Sequence, residues 1–245
     1  MKKIILFLFL CLPYNFSFAI DWESKGMEMV GEIVANPAAF FYDFQQDLEA
    51  TSPLPPGKTF GIQTGLFPSL LPMGYANGSA KLSLHKEGRW APGVPQIDII
   101  GGYQNMVLAQ VAANQSDDIT DAKFNGHYYG FLLASSVTPK IRTFYGYKHS
   151  RLNAKLSFAA GSEPELLGVK INSFDTGFED DFLIVGIETL KKTNKYWSLQ
   201  LNYGLNENVI TSKVSWYGKW FEVGLNIYPE GVLVFHPVWN FHLNF

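Results

Sequence analysis

The chain is poor in the groups that most enzymes and metal sites depend on. Among its 245 residues it has one cysteine, five histidines and only 17% charged residues. Cys11 lies in the apolar stretch IILFLFLCL that follows Met1-Lys2-Lys3, and Ser17-Phe18-Ala19 comes after it with small residues at its first and third positions. The pattern reads as a secretory signal peptide over residues 1–19. Its unbroken apolar core falls well short of the roughly 20 residues that a membrane-spanning helix needs, and Leu10 stands where lipoprotein processing wants a small residue. An exported chain starting at Ile20 carries no thiol, which excludes disulfides, cysteine-based metal sites and cysteine nucleophiles. Beyond the leader no apolar run is long enough to cross a membrane as a helix, so a helical membrane protein is excluded. Positive charge is also scarce. Taking Lys2 and Lys3 from the 19 Lys and Arg leaves 17 against 22 Asp and Glu, a formal charge of −5. That balance argues against a nucleic-acid partner.

Catalytic motifs are missing as well. There is no Gly-x-Ser-x-Gly, no His-Glu-x-x-His and no phosphate-cradling glycine loop. The histidines are His85, His127, His149, His236 and His242, and the one close His–Ser pair is His149-Ser150. This pair is expected at an extracellular hairpin, and adjacent strand residues point to opposite faces, so it makes a poor dyad. Two acidic groups, Asp117, Asp118 and Asp121, then Asp175, Glu179, Asp180 and Asp181, are expected in loops. Their spacing matches no calcium-loop pattern, so solvated, charged loops are expected, with loose bridging of divalent ions to lipid head groups as the alternative. No catalytic, cofactor or metal site is expected.

What is present is aromatic and alternating. Aromatics make up 16% of the chain, as 20 Phe, 12 Tyr and 6 Trp. Up to the Pro-rich SPLPPG at residues 52–57, apolar residues recur at helical spacing: Val30, Ile33, Val34, Phe40, Phe41, Phe44 and Leu48, interrupted by Asn36-Pro37. After it the period becomes two. In YWSLQLNYG, Trp197, Leu199, Leu201 and Tyr203 share one face while Ser198, Gln200, Asn202 and Gly204 share the other. Such a strand separates two media. Repeats of this pattern, with turn residues between them, predict an all-β fold of about 12 strands, in a range of 10 to 14. Windows at 140–148, 153–160 and 165–173 are among the expected strands, and the two longest connections are expected at 105–125 and 172–180. Three regions follow: the signal peptide at 1–19, an N-terminal helical segment at 20–56 and a single antiparallel barrel at 57–245.

A soluble sandwich also alternates, but the aromatic pattern favours a transmembrane barrel. Trp197, Tyr203, Trp216, Trp220, Tyr228 and Trp239 fall near predicted strand ends, as interfacial girdles do, with Leu, Val and Ile between them. The leader, the two-period strands and the terminal WNFHLNF together resemble bacterial outer-membrane β-barrel proteins over roughly residues 58–245. The resemblance implies a Gram-negative outer-membrane location and contact with membrane lipids. It also implies a barrel-assembly machinery that reads Phe245, with Phe241 and Leu243 as the alternating apolar positions before it. Asn36-Pro37-Ala38 is similar to a stretch of outer-membrane fatty-acid transporters, but those chains are longer and nothing of their substrate is transferred.

Inward parity assigns Lys81, Arg142, Lys148, Lys155, Lys170 and Lys213, with Asp98, Glu188, Glu222 and His242, to the lumen. A net basic, anion-preferring cavity is the consequence. The preceding segment is acidic, with Asp43, Asp47 and Glu49 near its end, so residues 22–50 are expected to plug the lumen or cap its periplasmic mouth. The function expected is a narrow passive channel for a small solute or a structural surface barrel, not an enzyme. A barrel-type lipid-modifying enzyme and a surface adhesion protein are the alternatives.

Overall fold

The computed structural model describes residues 37–67, 75–106, 119–161, 165–166, 169–170, 173–191, 195–231 and 234–245. The expected signal peptide, the first part of the helical segment through residue 36, and Asp117 and Asp118 lie outside the described residues. One helix, α1 (Pro37–Leu48), precedes the strands. The barrel strands are β1 (Phe60–Phe67), β2 (Tyr75–His85), β3 (Gln96–Met106), β4 (Ile119–Thr138) and β5 (Ile141–Phe158). They continue with β8 (Ser173–Lys191), β9 (Lys195–Gly204), β10 (Ile210–Tyr217), β11 (Phe221–Ile227) and β12 (Phe235–Asn244). These ten close antiparallel in the order β1-β12-β11-β10-β9-β8-β5-β4-β3-β2. Two short strands, β6 (Glu165–Leu166) and β7 (Val169–Lys170), pair with each other as a separate sheet.

The barrel therefore has ten strands, not the preferred twelve. Two expected strands, 140–148 and 153–160, are one continuous β5. His149 and Ser150 form no hairpin, because both have partners on each side: Tyr129 and Asp181 flank His149, and Tyr128 and Asp180 flank Ser150. The expected loop at 172–180 is the first half of β8, so Asp175, Glu179, Asp180 and Asp181 are strand residues. The window 165–173 supplies the small sheet instead of a barrel strand.

Which side chains face inward is decided by polarity, and in the reverse sense to a water-soluble core. On β9 the outward Trp197, Leu199 and Leu201 are 56%, 47% and 49% exposed, whereas the inward Ser198, Gln200 and Asn202 are 5%, 2% and 8% exposed. The outer surface is apolar across neighbouring strands. Register pairing puts Trp197 beside Trp216, Trp216 beside Val223 and Val223 beside Trp239. Tyr228 departs from the expected girdle, since it lies just past the end of β11 and its buried hydroxyl bonds to Asp47 Oδ1 at 2.8 Å.

Strand lengths divide the barrel into two levels. β9 to β12 have 7 to 10 residues, while β4, β5 and β8 have 20, 18 and 19. Ten additional residues amount to about 33 Å along a strand at about 3.3 Å each. On this projection the outer face is charged. Lys155 pairs with Asp121 at 2.8 Å, Arg151 with Glu179 at 3.5 Å and His149 with Asp181 at 2.9 Å. The projection stands at the end carrying the β9–β10 and β11–β12 turns, opposite Phe245, whose backbone exchanges hydrogen bonds with Phe60 at the start of β1.

Candidate functional site in the barrel lumen

The interior is occupied by the chain's own N-terminal segment. Proline is tolerated at the first helical position because its missing N–H has no intrahelical acceptor there, which suits Pro37 to open α1. After Leu48 the three prolines of residues 53–56 forbid a further helical turn, and the chain runs on in non-helical form. Gly57, with φ of 85°, turns it towards β1, a conformation that a side chain would resist. Tyr42, Gln45, Asp47, Leu48, Glu49, Ala50, Ser52 and Leu54 are all buried.

The wall makes room for this plug with glycines. A Cβ on Gly65 would lie 2.1 Å from Leu48 Cδ2, one on Gly126 would lie 1.8 Å from Gln45 Oε1, and one on Gly61 would lie 2.8 Å from Leu54 Cδ2. A larger residue at any of these three positions would force Leu48, Gln45 or Leu54 to shift.

Polar contacts then anchor it at every level. At the loop end, Asp47 receives Asn226 Nδ2 at 2.5 Å and Tyr228 OH at 2.8 Å on Oδ1, and His236 Nδ1 lies 2.7 Å from its Oδ2. In the middle, Glu49 pairs with Lys148 and accepts from Ser150 Oγ at 2.6 Å. The Ala50 N–H donates to Tyr128 OH at 2.7 Å, and Thr51 Oγ1 donates to Gln200 Oε1 at 3.0 Å. Lys81 Nζ donates to the Ser52 carbonyl at 2.7 Å. Nearest the chain terminus, Leu54 N–H donates to Asp98 Oδ2 at 2.7 Å, and its carbonyl accepts from Arg142 Nη1 at 2.8 Å and Gln96 Nε2 at 3.0 Å.

Of the residues assigned to the lumen by parity, Lys81, Asp98, Arg142, Lys148, Glu188, Lys213, Glu222 and His242 are buried inside the barrel. Arg142 approaches Glu188 at 3.6 Å, and Lys213 pairs with Glu222 at 2.6 Å. Lys155 is on the outer face, because β5 runs unbroken and an odd-numbered residue cannot share a face with Arg142 and Lys148. Lys170 belongs to the small sheet and not to the barrel. The wall buries four bases, Lys81, Arg142, Lys148 and Lys213, and four acids, Asp98, Asp180, Glu188 and Glu222, while the plug adds Asp47 and Glu49. The described lumen is thus not net basic, which removes the ground for anion preference. Phe241 and Leu243 alternate with the buried Asn240 and His242, and Phe245 exposes its ring at the strand's end.

Ser150 and His149 part company, as alternation requires: Ser150 faces the plug and His149 faces outward. Sequence reasoning missed the wall residues that hold the segment, chiefly Tyr128, Ser150, Asn226 and His236. An alternating pattern does not say what occupies the space inside, and Ser150 is expected at a hairpin and not on a strand. Asp43, on α1 at the loop end of the barrel, has its carboxyl pushed up to about 7, chiefly by burial; His236 pulls it down and Asp47 pushes it up. Among the described residues no group of three or more His, Cys, Asp or Glu is placed to hold a metal ion. Comparison with known proteins gives no relative to reason from: no family model, no curated protein and no solved structure matches the chain.

Proposed function

We propose that the chain is an outer-membrane β-barrel protein that forms a narrow passage held shut by residues 37–56. The observation that carries this reading is the inverted polarity, with exposed Trp, Leu, Val and Phe on the outside of a closed barrel and charged and amide side chains within. Water would leave such a surface uncovered, while lipid covers it, and the closed barrel satisfies every spanning strand's backbone without an edge. Passage is favoured over a purely structural role by the chemistry of the plug contacts. They are largely hydrogen bonds and ion pairs, which water can replace, where an apolar core would have no substitute partner. Ten strands enclose more space than the roughly eight that wall side chains alone fill, and here a helix takes up the remainder.

The mature protein is expected to fractionate with outer membranes and to shift in mobility on heating before electrophoresis. In planar bilayers the native barrel should stay closed, and Gly65→Val, which puts two methyl groups where Leu48 packs, should conduct steadily. Recovery in the soluble periplasm would sink the location. Insertion of Gly65→Val with its plug released and no conductance would leave only the structural barrel.

A further inference from the structure

A cavity of about 170 Å³ opens at the loop end of the barrel, between the start of α1, β8 and the β9–β10 and β11–β12 turns. Its walls are aromatic. Tyr42 and Phe178 stack with ring centroids 5.5 Å apart at 28°, and Tyr228 also lines the cavity. Four carboxylates line the same space, and among its described lining residues there is no Lys, Arg or His. Glu207 and Glu230 are exposed on the two turns, Asp43 is half-buried on the helix, and Asp180 is 1% exposed.

Asp180, among the cavity's lining residues, has one carboxylate oxygen satisfied and one not. Its Oδ1 accepts from the backbone N–H groups of Asp181 at 2.7 Å and Asn206 at 2.9 Å. Its Oδ2 is buried and has no hydrogen-bond partner among the described residues. Gly204 leaves the space this oxygen occupies, since a Cβ there would come within 2.2 Å of it. A carboxylate oxygen withdrawn from water without a donor is costly.

A ligand that satisfies this site needs an N–H donor for Oδ2, positive charge for the ring of carboxylates and an apolar body for the aromatic walls. A bare metal ion fits poorly, because the carboxylates surround the cavity and do not converge on one point. A protonated amine has all three properties, and its cationic end gains further from aromatic faces. We propose that this cavity binds a small organic ammonium ion, with Asp180 as the buried acceptor and Tyr42, Phe178 and Tyr228 enclosing its hydrocarbon part. The site needs only the folded barrel and is independent of the medium around it. Because Tyr42 and Asp43 belong to the plug helix, a bound amine bridges plug and wall.

The test is calorimetric titration of the full mature chain, folded in detergent at about pH 8, with butylammonium, with 1-pentanol as an uncharged analogue of similar size, and with calcium ions. Butylammonium should bind at a single saturable site and pentanol should not. Asp180→Asn should weaken binding about tenfold, the equivalent of one charge-assisted hydrogen bond. Glu230→Gln, on an exposed turn where folding is safe, should weaken it about threefold, in keeping with a more solvated charge. Lys219→Gln at the opposite end should leave it unchanged. Heat-modifiable mobility verifies the fold of each variant, and if Asp180→Asn fails to fold, Glu230→Gln and Phe178→Leu decide. Absence of amine binding, equal binding of pentanol, calcium binding alone, or native affinity in the folded site variants would overturn the proposal.

Discussion

At the residue scale, the lumen is governed by the cost of burying charge. Lys148 and Glu49 are both removed from solvent and satisfy one another, and Ser150 and Gln45 complete the carboxylate's shell. Removing one member of such a pair leaves the other without compensation, typically at about 3–5 kcal/mol. Glu49→Gln should therefore lower the thermal midpoint of the heat-modifiable band clearly, whereas Glu179→Gln on the exposed outer face should move it little. Asp43 sets a pH dependence of the opposite sense to most carboxylates. Its folded value of about 7 lies above the ordinary 3.8, so the fold retains its proton. That contribution is fully present below the ordinary value and is lost as pH rises through 7. Thermal stability should fall between about pH 4 and about pH 7, and Asp43→Asn should reduce the fall. A native-like decline in Asp43→Asn would assign it to other groups.

At the element scale, α1 is held by shape as well as by charge. Its side chains enter gaps left by Gly65 and Gly126, which β1 and β4 present from different parts of the wall. Gly126→Val should eject the helix while the barrel, whose ladder does not depend on it, remains closed. A glutamate-specific protease would then cut after Glu49 in the variant and not in the native protein. Protection of Glu49 in a folded Gly126→Val barrel would show that the packing yields instead. The same scale explains why β5 is one strand and not two. β5 contains Arg142, Lys148, Ser150 and Arg151, polar enough to suggest a break at His149-Ser150. These residues are tolerated because inward ones meet the plug and outward ones pair with β8.

At the scale of the molecule, the outer surface has an apolar band and a charged projection, and the membrane reading makes them behave differently. Leu199 sits within the band, and an arginine there should cost about 2–4 kcal/mol in a bilayer and lower the yield of assembled barrel. Asn153→Arg, on the outward face of the projecting part of β5, should be neutral. Equal yields of the two variants would argue that no lipid surrounds the band.

The sequence by itself determined the all-β class, the barrel-like inversion of polarity and the inward position of most lumen charges. Each of these follows from a period of two and from which residue types water or lipid will tolerate on a face. It also placed acidic residues ahead of the barrel, where Asp47 and Glu49 find His236 and Lys148. Only the tertiary structure decided the strand number, since that depends on whether polar residues such as His149 and Ser150 meet partners across the ladder. It likewise decided the side on which Lys155 falls, because parity holds only within an unbroken strand. The charge balance of the lumen and the mouth cavity around Asp180 were also beyond the sequence, because both depend on which distant elements share one enclosed space.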